Sequence, residues 1–410
     1  MPSPLDHDRH PVSGPTPGPA AGPARLGPLL LLSFLATFGT AVLWNGLSFV
    51  ARDAYGFDET WNLLLAISNG GVYAIAAFAS APLLRRVEHR IAPRTVVAAV
   101  FLLQVLICPL VLVSNSAVTL FLVAGAMSFL AAFFWPVIEA YVSAGREPTA
   151  MRNAIGWWNT IWMSALGLAL VSMAPLLAAG HAAWAIASLG PINLACIAVL
   201  LVGVPRRIAR HEVHRPEHVA PPRYVNLLAS NRALLPLAYA LIGALSPLMP
   251  YLLDDLEASI WWQTPLAATW MFARVAGIAI LRRWSWWHGR WDATLLGGAL
   301  LVGGYVAVVA APNIPAIVAA LIAFGLGQAV VYYAAMYYVM RVGDADVDAA
   351  STHEGLIGVG YGVGPAAALL GVTVGGAAAI VAASLALPAV TVWPALRPYL
   401  RGRRAEEPGG

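Results

Sequence analysis

The chain has 410 residues, of which 60% are hydrophobic and only 11% charged, with a formal net charge of +4. Soluble domains carry about a quarter charged residues, so this composition excludes an ordinary water-solvated globule and points to a chain solvated by lipid. Its basic side chains are all arginine and are spread over short segments, which argues against a nucleic-acid partner and for contact with anionic lipid headgroups.

In chain order, residues 1–26 are rich in Pro, Gly and Ala and read as a disordered tail without a cleavable signal. Twelve apolar runs follow, over 27–50, 61–83, 93–113, 117–143, 154–175, 182–204, 231–253, 260–281, 292–311, 314–340, 354–374 and 377–396. Each is close to the roughly 20 residues with which a helix crosses hydrocarbon. Nearly all arginines fall in the tails or in alternate gaps, with only Arg52 and Arg274 elsewhere. Basic loops stay cytoplasmic, so both termini are expected inside, and the lysine-free composition suggests a GC-rich bacterial genome and hence a bacterial inner membrane. The longest polar gap, 205–230, separates a six-helix unit over 27–204 from a second over 231–396, which a tail over 397–410 follows. Leu281-Arg282-Arg283 repeats Leu84-Arg85-Arg86 after 197 positions, and Ile357-Gly358 repeats Ile155-Gly156 after 202. The expected fold is therefore an all-α polytopic membrane protein, with twelve transmembrane helices in two pseudo-symmetric six-helix bundles related by a parallel repeat.

Ionisable groups at membrane depth are costly and mark candidate function. Arg274 sits near the middle of the eighth run. It is read either as an anchor for an anionic solute group or as a structural ion pair. Glu139 lies towards the inner end of the fourth run, as a proton carrier or as a partner of Arg146 or Arg152. His353 and Glu354 open the eleventh run. Capping explains Glu354 there; the alternatives are proton coupling and gating beside Arg85 and Arg86. The acids Asp254, Asp255 and Glu257 read as a solvated outer loop, and Arg52 with Asp53 as its equivalent in the first half.

Pro236, Pro247 and Pro250 interrupt the seventh run, as in helices that line a transport cavity or act as hinges. In the tenth, Tyr332 and Tyr333 are assigned to a cavity beside Gln328, whereas Tyr337 and Tyr338 suit an interfacial belt. Trp261, Trp262, Trp284, Trp286, Trp287 and Trp291 are also expected in the belts, and Asn159 among its tryptophans reads as a cavity hydrogen bonder. Cys108 and Cys196 read as packed thiols. The glycine run Gly358–Gly364 follows no strand, so it indicates close helix packing and not a nucleotide loop. No metal, hydrolase or ATP-binding pattern is present in the sequence, and no cofactor is expected.

Twelve helices as six plus six, a long basic central loop, and arginines between helices 2 and 3 and between 8 and 9 together resemble the major facilitator superfamily over 27–396. The family's 2–3 loop motif is represented by its arginines in Pro82–Arg94, without the acidic residue and glycines that accompany them. Of the antiporter motif of the fifth helix only Gly167 and Pro175 correspond, and a Gly364-Pro365 pair stands in the eleventh. The resemblance implies a cavity lined by helices 1, 4, 7 and 10, which directs attention to Asn45, Trp135, Glu139, Tyr239, Gln328, Tyr332, Tyr333 and Tyr337. It implies a monomeric permease, a secondary transporter of a small-molecule solute by alternating access, with protons as the expected coupling ion. The alternatives are a transporter-like membrane sensor or assembly protein, and a polytopic lipid-modifying enzyme.

Overall fold

The computed structural model describes residues 22–87, 89–209, 221–342 and 347–406. These residues form helices joined by short loops and contain no strand. Twelve helices are long and apolar enough to span a bilayer: Leu26–Tyr55, Glu59–Val87, Pro93–Val113, Ala117–Ser143, Thr149–Ala178, Trp184–Gly203, Pro222–Asp255, Ile260–Arg283, Trp291–Val309, Ile314–Val339, Glu354–Val374 and Gly376–Arg401. They are called the first to the twelfth span below. Large apolar side chains such as Leu106, Leu122 and Val202 are exposed, the coat that hydrocarbon solvates in a spanning helical protein.

The packing repeats between the halves. The first span packs on the fifth and sixth, the second on the fourth, and the third on the fourth and sixth; the seventh packs on the eleventh and twelfth, the eighth on the tenth, and the ninth on the tenth and twelfth. Two long seams join the halves, the second span against the eleventh and the fifth against the eighth, while the first and seventh cross at the centre. The glycine run of the eleventh span makes its seam possible. A Cβ on Gly358 would strike Ala74, and one on Gly364 would strike the Ala240 carbonyl, so the backbones approach as closely as small residues allow.

Residues about one repeat apart touch each other where the first and seventh spans cross. Ser48 donates to the Ser246 carbonyl at 2.9 Å and Ser246 donates to Asn45 Oδ1 at 3.1 Å. Proline explains the first of these bonds. Pro250 has no amide to offer the carbonyl four residues earlier, which is that of Ser246, and the Ser48 hydroxyl takes it.

Several expected boundaries and placements differ. The seventh span begins at Pro222 and not at 231, because Leu227 and Leu228 find a buried site beside Trp287 and Trp291 and proline suits a first helical turn. The final helix runs to Glu406, through most of the expected tail. The first 21 residues, 210–220 and 407–410 lie outside the described residues. Trp284 and Trp286 are exposed, but Trp287 and Trp291 are buried, as are Tyr337 and Tyr338. Trp287 donates to the Leu281 carbonyl at 2.9 Å, and the Gly289 amide donates to Tyr338 Oη at 3.0 Å. These bonds fold the loop after the eighth span back onto the tenth and withdraw the four rings from a belt.

Candidate functional site

A cavity lies between the halves and opens towards solvent, and a concave site between helices is where a bundle binds small molecules. The first half lines it with Thr40, Trp44 and Asn45 of the first span, Tyr73 of the second, Trp135 and Glu139 of the fourth, and Trp158, Trp162 and Leu166 of the fifth. The second half contributes Tyr239, Trp270, Arg274, Tyr332, Glu354, Ile357 and Tyr361.

Local structure sets these side chains. The first span opens into a π-turn over Val42–Gly46, which carries Trp44 and Asn45; such turns recur at functional positions. Trp44 stacks on Tyr361 across the seam, with centroids 4.3 Å apart and planes 27° apart, and meets Tyr73 edge-on at 5.1 Å. Three indoles are held by hydrogen bonds: Trp135 donates to Thr40 Oγ1 at 3.2 Å, Trp158 to Ser33 Oγ at 2.9 Å, and Trp162 to Asn159 Oδ1 at 3.1 Å.

Arg274 is 1% exposed. Its guanidinium carbon lies 4.4 Å from the Tyr332 centroid, 5.8 Å from Trp162 and 5.9 Å from Tyr239. Its Nη2 donates to Tyr239 Oη at 3.5 Å, and its Nε has no hydrogen-bond partner. Glu354 is buried and accepts a hydrogen bond from the Tyr73 hydroxyl across the seam. Glu139 is half-buried on the cavity wall, which Glu354 lines from the opposite half. The cavity thus combines aromatic walls, one guanidinium and two carboxylates from opposite halves.

A profile of the Major Facilitator Superfamily matches residues 29–369. The chain belongs to the Major Facilitator Superfamily. No curated protein sequence matches it. A bacterial homologue of the human lysosomal transporter Spinster, in an inward-facing and occupied conformation, is similar with a TM-score of 0.64 at 13% identity, covering 92% of this chain and 96% of that one. A variant of the nucleoside transporter NupG has a TM-score of 0.65 at 13% identity, over 92% of this chain and 99% of that one. At such identity the similarity to these two superfamily transporters is one of fold.

Of the residues singled out in the sequence of this superfamily member, Asn45, Trp135, Glu139, Tyr239, Arg274, Tyr332 and Glu354 converge on the cavity. Asn159 does not line it. It is fully buried behind the wall, where it donates to the Ile155 carbonyl at 3.0 Å and orients Trp162. Gln328 is also buried outside the lining and donates to the Ala238 carbonyl at 2.7 Å. Tyr333 packs near Trp287, with centroids 5.8 Å apart, because consecutive helical residues point about 100° apart and only Tyr332 can face the lumen. Arg85 and Arg86 are exposed in the last turn of the second span, and the side chain of His353 lies outside the described residues.

Trp44, Tyr73, Trp158, Trp162, Trp270 and Tyr361 line the cavity without having been assigned to it from sequence. The one usable signal was Tyr361 within its glycine run, which marks a seam between helices. Arg52 was also missed. It donates to Asp53 at 2.6 Å, Asp254 at 2.6 Å, Gln263 at 2.7 Å and the Pro250 carbonyl at 3.0 Å. The outer acids therefore include a tie between the halves, and Asp254 is not a freely solvated loop residue.

Proposed function

We propose that the chain is a secondary active transporter that carries a small organic solute by alternating access, driven by protons. The observation that carries this reading is the cavity on the seam, lined from both halves, with two carboxylates and a buried guanidinium in its wall. Charges at membrane depth persist where they line a wet path or meet a partner, and a cavity shared by two bundles is exposed to one face or the other as they rock. Glu139 and Glu354 are the proton carriers in this mechanism, and Arg274 anchors the solute. The alternating distribution of arginines supports a bacterial inner membrane with both termini cytoplasmic, and the chain acts as a monomer.

The test starts from a thermal-shift screen of purified protein, since a ligand of the folded state raises its melting temperature. A hit is then assayed by counterflow in proteoliposomes, where exchange is expected. Binding without counterflow would instead indicate a sensor. Glu139→Gln and Glu354→Gln are each expected to abolish accumulation driven by a pH gradient; if both variants still accumulate solute, the carboxylates are not the carriers.

A further inference from the structure

We propose that the solute is an amphoteric aromatic compound, a flat ring bearing one anionic and one cationic group. The proposal rests on the transporter reading only in calling the ligand a transported solute; the chemistry follows from the cavity. The polar atoms of Trp135, Trp158 and Trp162 are already engaged by Thr40, Ser33 and Asn159, and the Tyr73 hydroxyl by Glu354. These walls offer a ligand mainly ring surface. A polyol, which needs many hydrogen bonds, would leave its hydroxyls unpaired there, whereas a flat ring stacks.

The charges specify the rest. Arg274 is almost completely buried, makes no ion pair among the described residues, and keeps Nε without a partner. A buried guanidinium with an unused donor suits a carboxylate or similar anion, which accepts two bonds in parallel. Glu139 and Glu354 line the same cavity from opposite halves, and a cationic nitrogen between them would donate a charge-assisted hydrogen bond to either carboxylate. Among the described residues Arg274 forms no ion pair with either carboxylate, so a solute carrying both signs is what bridges them.

The probes are para-aminomethylbenzoate, which carries both groups on a ring, benzylamine with only the amine, para-toluate with only the acid, and the saturated-ring counterpart of the first. Quenching of tryptophan fluorescence in detergent measures their affinities. The first probe is expected to bind about tenfold or more tighter than benzylamine or para-toluate, the effect of losing one charge-assisted contact, and about threefold or more tighter than the saturated probe, the effect of losing ring stacking. Arg274→Gln should lower its affinity to that of benzylamine, and Glu139→Gln to that of para-toluate. Each variant is checked for a cooperative melt, and if Arg274→Gln does not fold, the Glu139→Gln arm and the probe series decide. Equal binding of benzylamine, equal binding of the saturated probe, or no binding of the first probe at millimolar concentration overturns the proposal. Counterflow separates the two levels. Selective binding without exchange leaves the ligand class standing and removes transport, whereas exchange of some other solute with no selectivity among these probes does the reverse.

Discussion

Arg274 shows how one costly residue is accommodated. A central arginine opposes membrane insertion by about 2.5–3.5 kcal/mol, and each cation–π contact returns roughly 0.5–2 kcal/mol. Contacts to Tyr332, Trp162 and Tyr239 are together of the size needed, so the side chain is stable without an ion pair and its charge remains available to a ligand. Asn159 supports this arrangement from behind. Asn159→Leu removes the acceptor of the Trp162 indole and should destabilise the protein by about 1–3 kcal/mol, the cost of a buried unpaired donor. A thermal melt in detergent measures it, and an unchanged midpoint would show that Trp162 needs no such support. The sequence identified Arg274, Glu139 and Glu354 because a charge in an apolar run is conspicuous. It did not identify Tyr73 or Trp270, because an aromatic residue in the same run fits lipid, core or cavity equally well.

The helices themselves carry conformational features that depend on their neighbours. The seventh span keeps Pro250 because Ser48 of the first span satisfies the carbonyl that the proline leaves unpaired, and the π-turn at Val42–Gly46 interrupts the first span near the same crossing. The eleventh span depends on small residues. Gly364→Val would drive a side chain into the Ala240 carbonyl, and backbone cannot yield as a flexible side chain does. The expected outcome is loss of several kcal/mol, as for other overpacked sites, seen as a lost cooperative melt. Gly303→Ala is the control, since a Cβ there meets nothing within 4 Å, and it should shift stability by no more than about 1 kcal/mol. Equal effects of the two changes would show that close approach of the seventh and eleventh spans is not what requires glycine.

Across the whole molecule, the halves are tied more firmly at the Arg52 end than at the Arg282 end. Arg52 reaches Asp254 and Gln263 at 2.6 and 2.7 Å, whereas Arg282 reaches Thr160 Oγ1 and the Gly156 carbonyl at 3.3 and 3.4 Å. Asp254 is about half exposed, so solvent screening weakens that pair, but Gln263 and the Pro250 carbonyl are partly buried. Arg52→Ala should raise the population open at this end about tenfold, equivalent to about 1.4 kcal/mol. The readout is the rate at which an impermeant thiol reagent applied outside labels Ser246→Cys, against the buried native Cys108 and Cys196. An unchanged rate would mean that Arg52 is not part of a gate. Orientation has its own check: Arg207→Cys should be labelled only from the cytoplasmic side, and labelling from outside would invert the arrangement.

Twelve spans, their grouping into two sixes and the repeat between them were legible in the sequence alone. Hydrocarbon demands long apolar helices, arginine resists translocation, and duplication leaves a constant offset; each of these acts through local composition. Which faces meet was decided only by the tertiary structure. Tyr332 and its neighbour Tyr333 are alike in sequence, yet one faces the cavity and the other the Trp287 cluster. Arg52 and Asp254 looked like separate solvated loops until the first and seventh spans crossed. Within lipid-solvated helices nearly every position is apolar, so periodicity says little about the inward face, and the packing of one bundle against the other selects it.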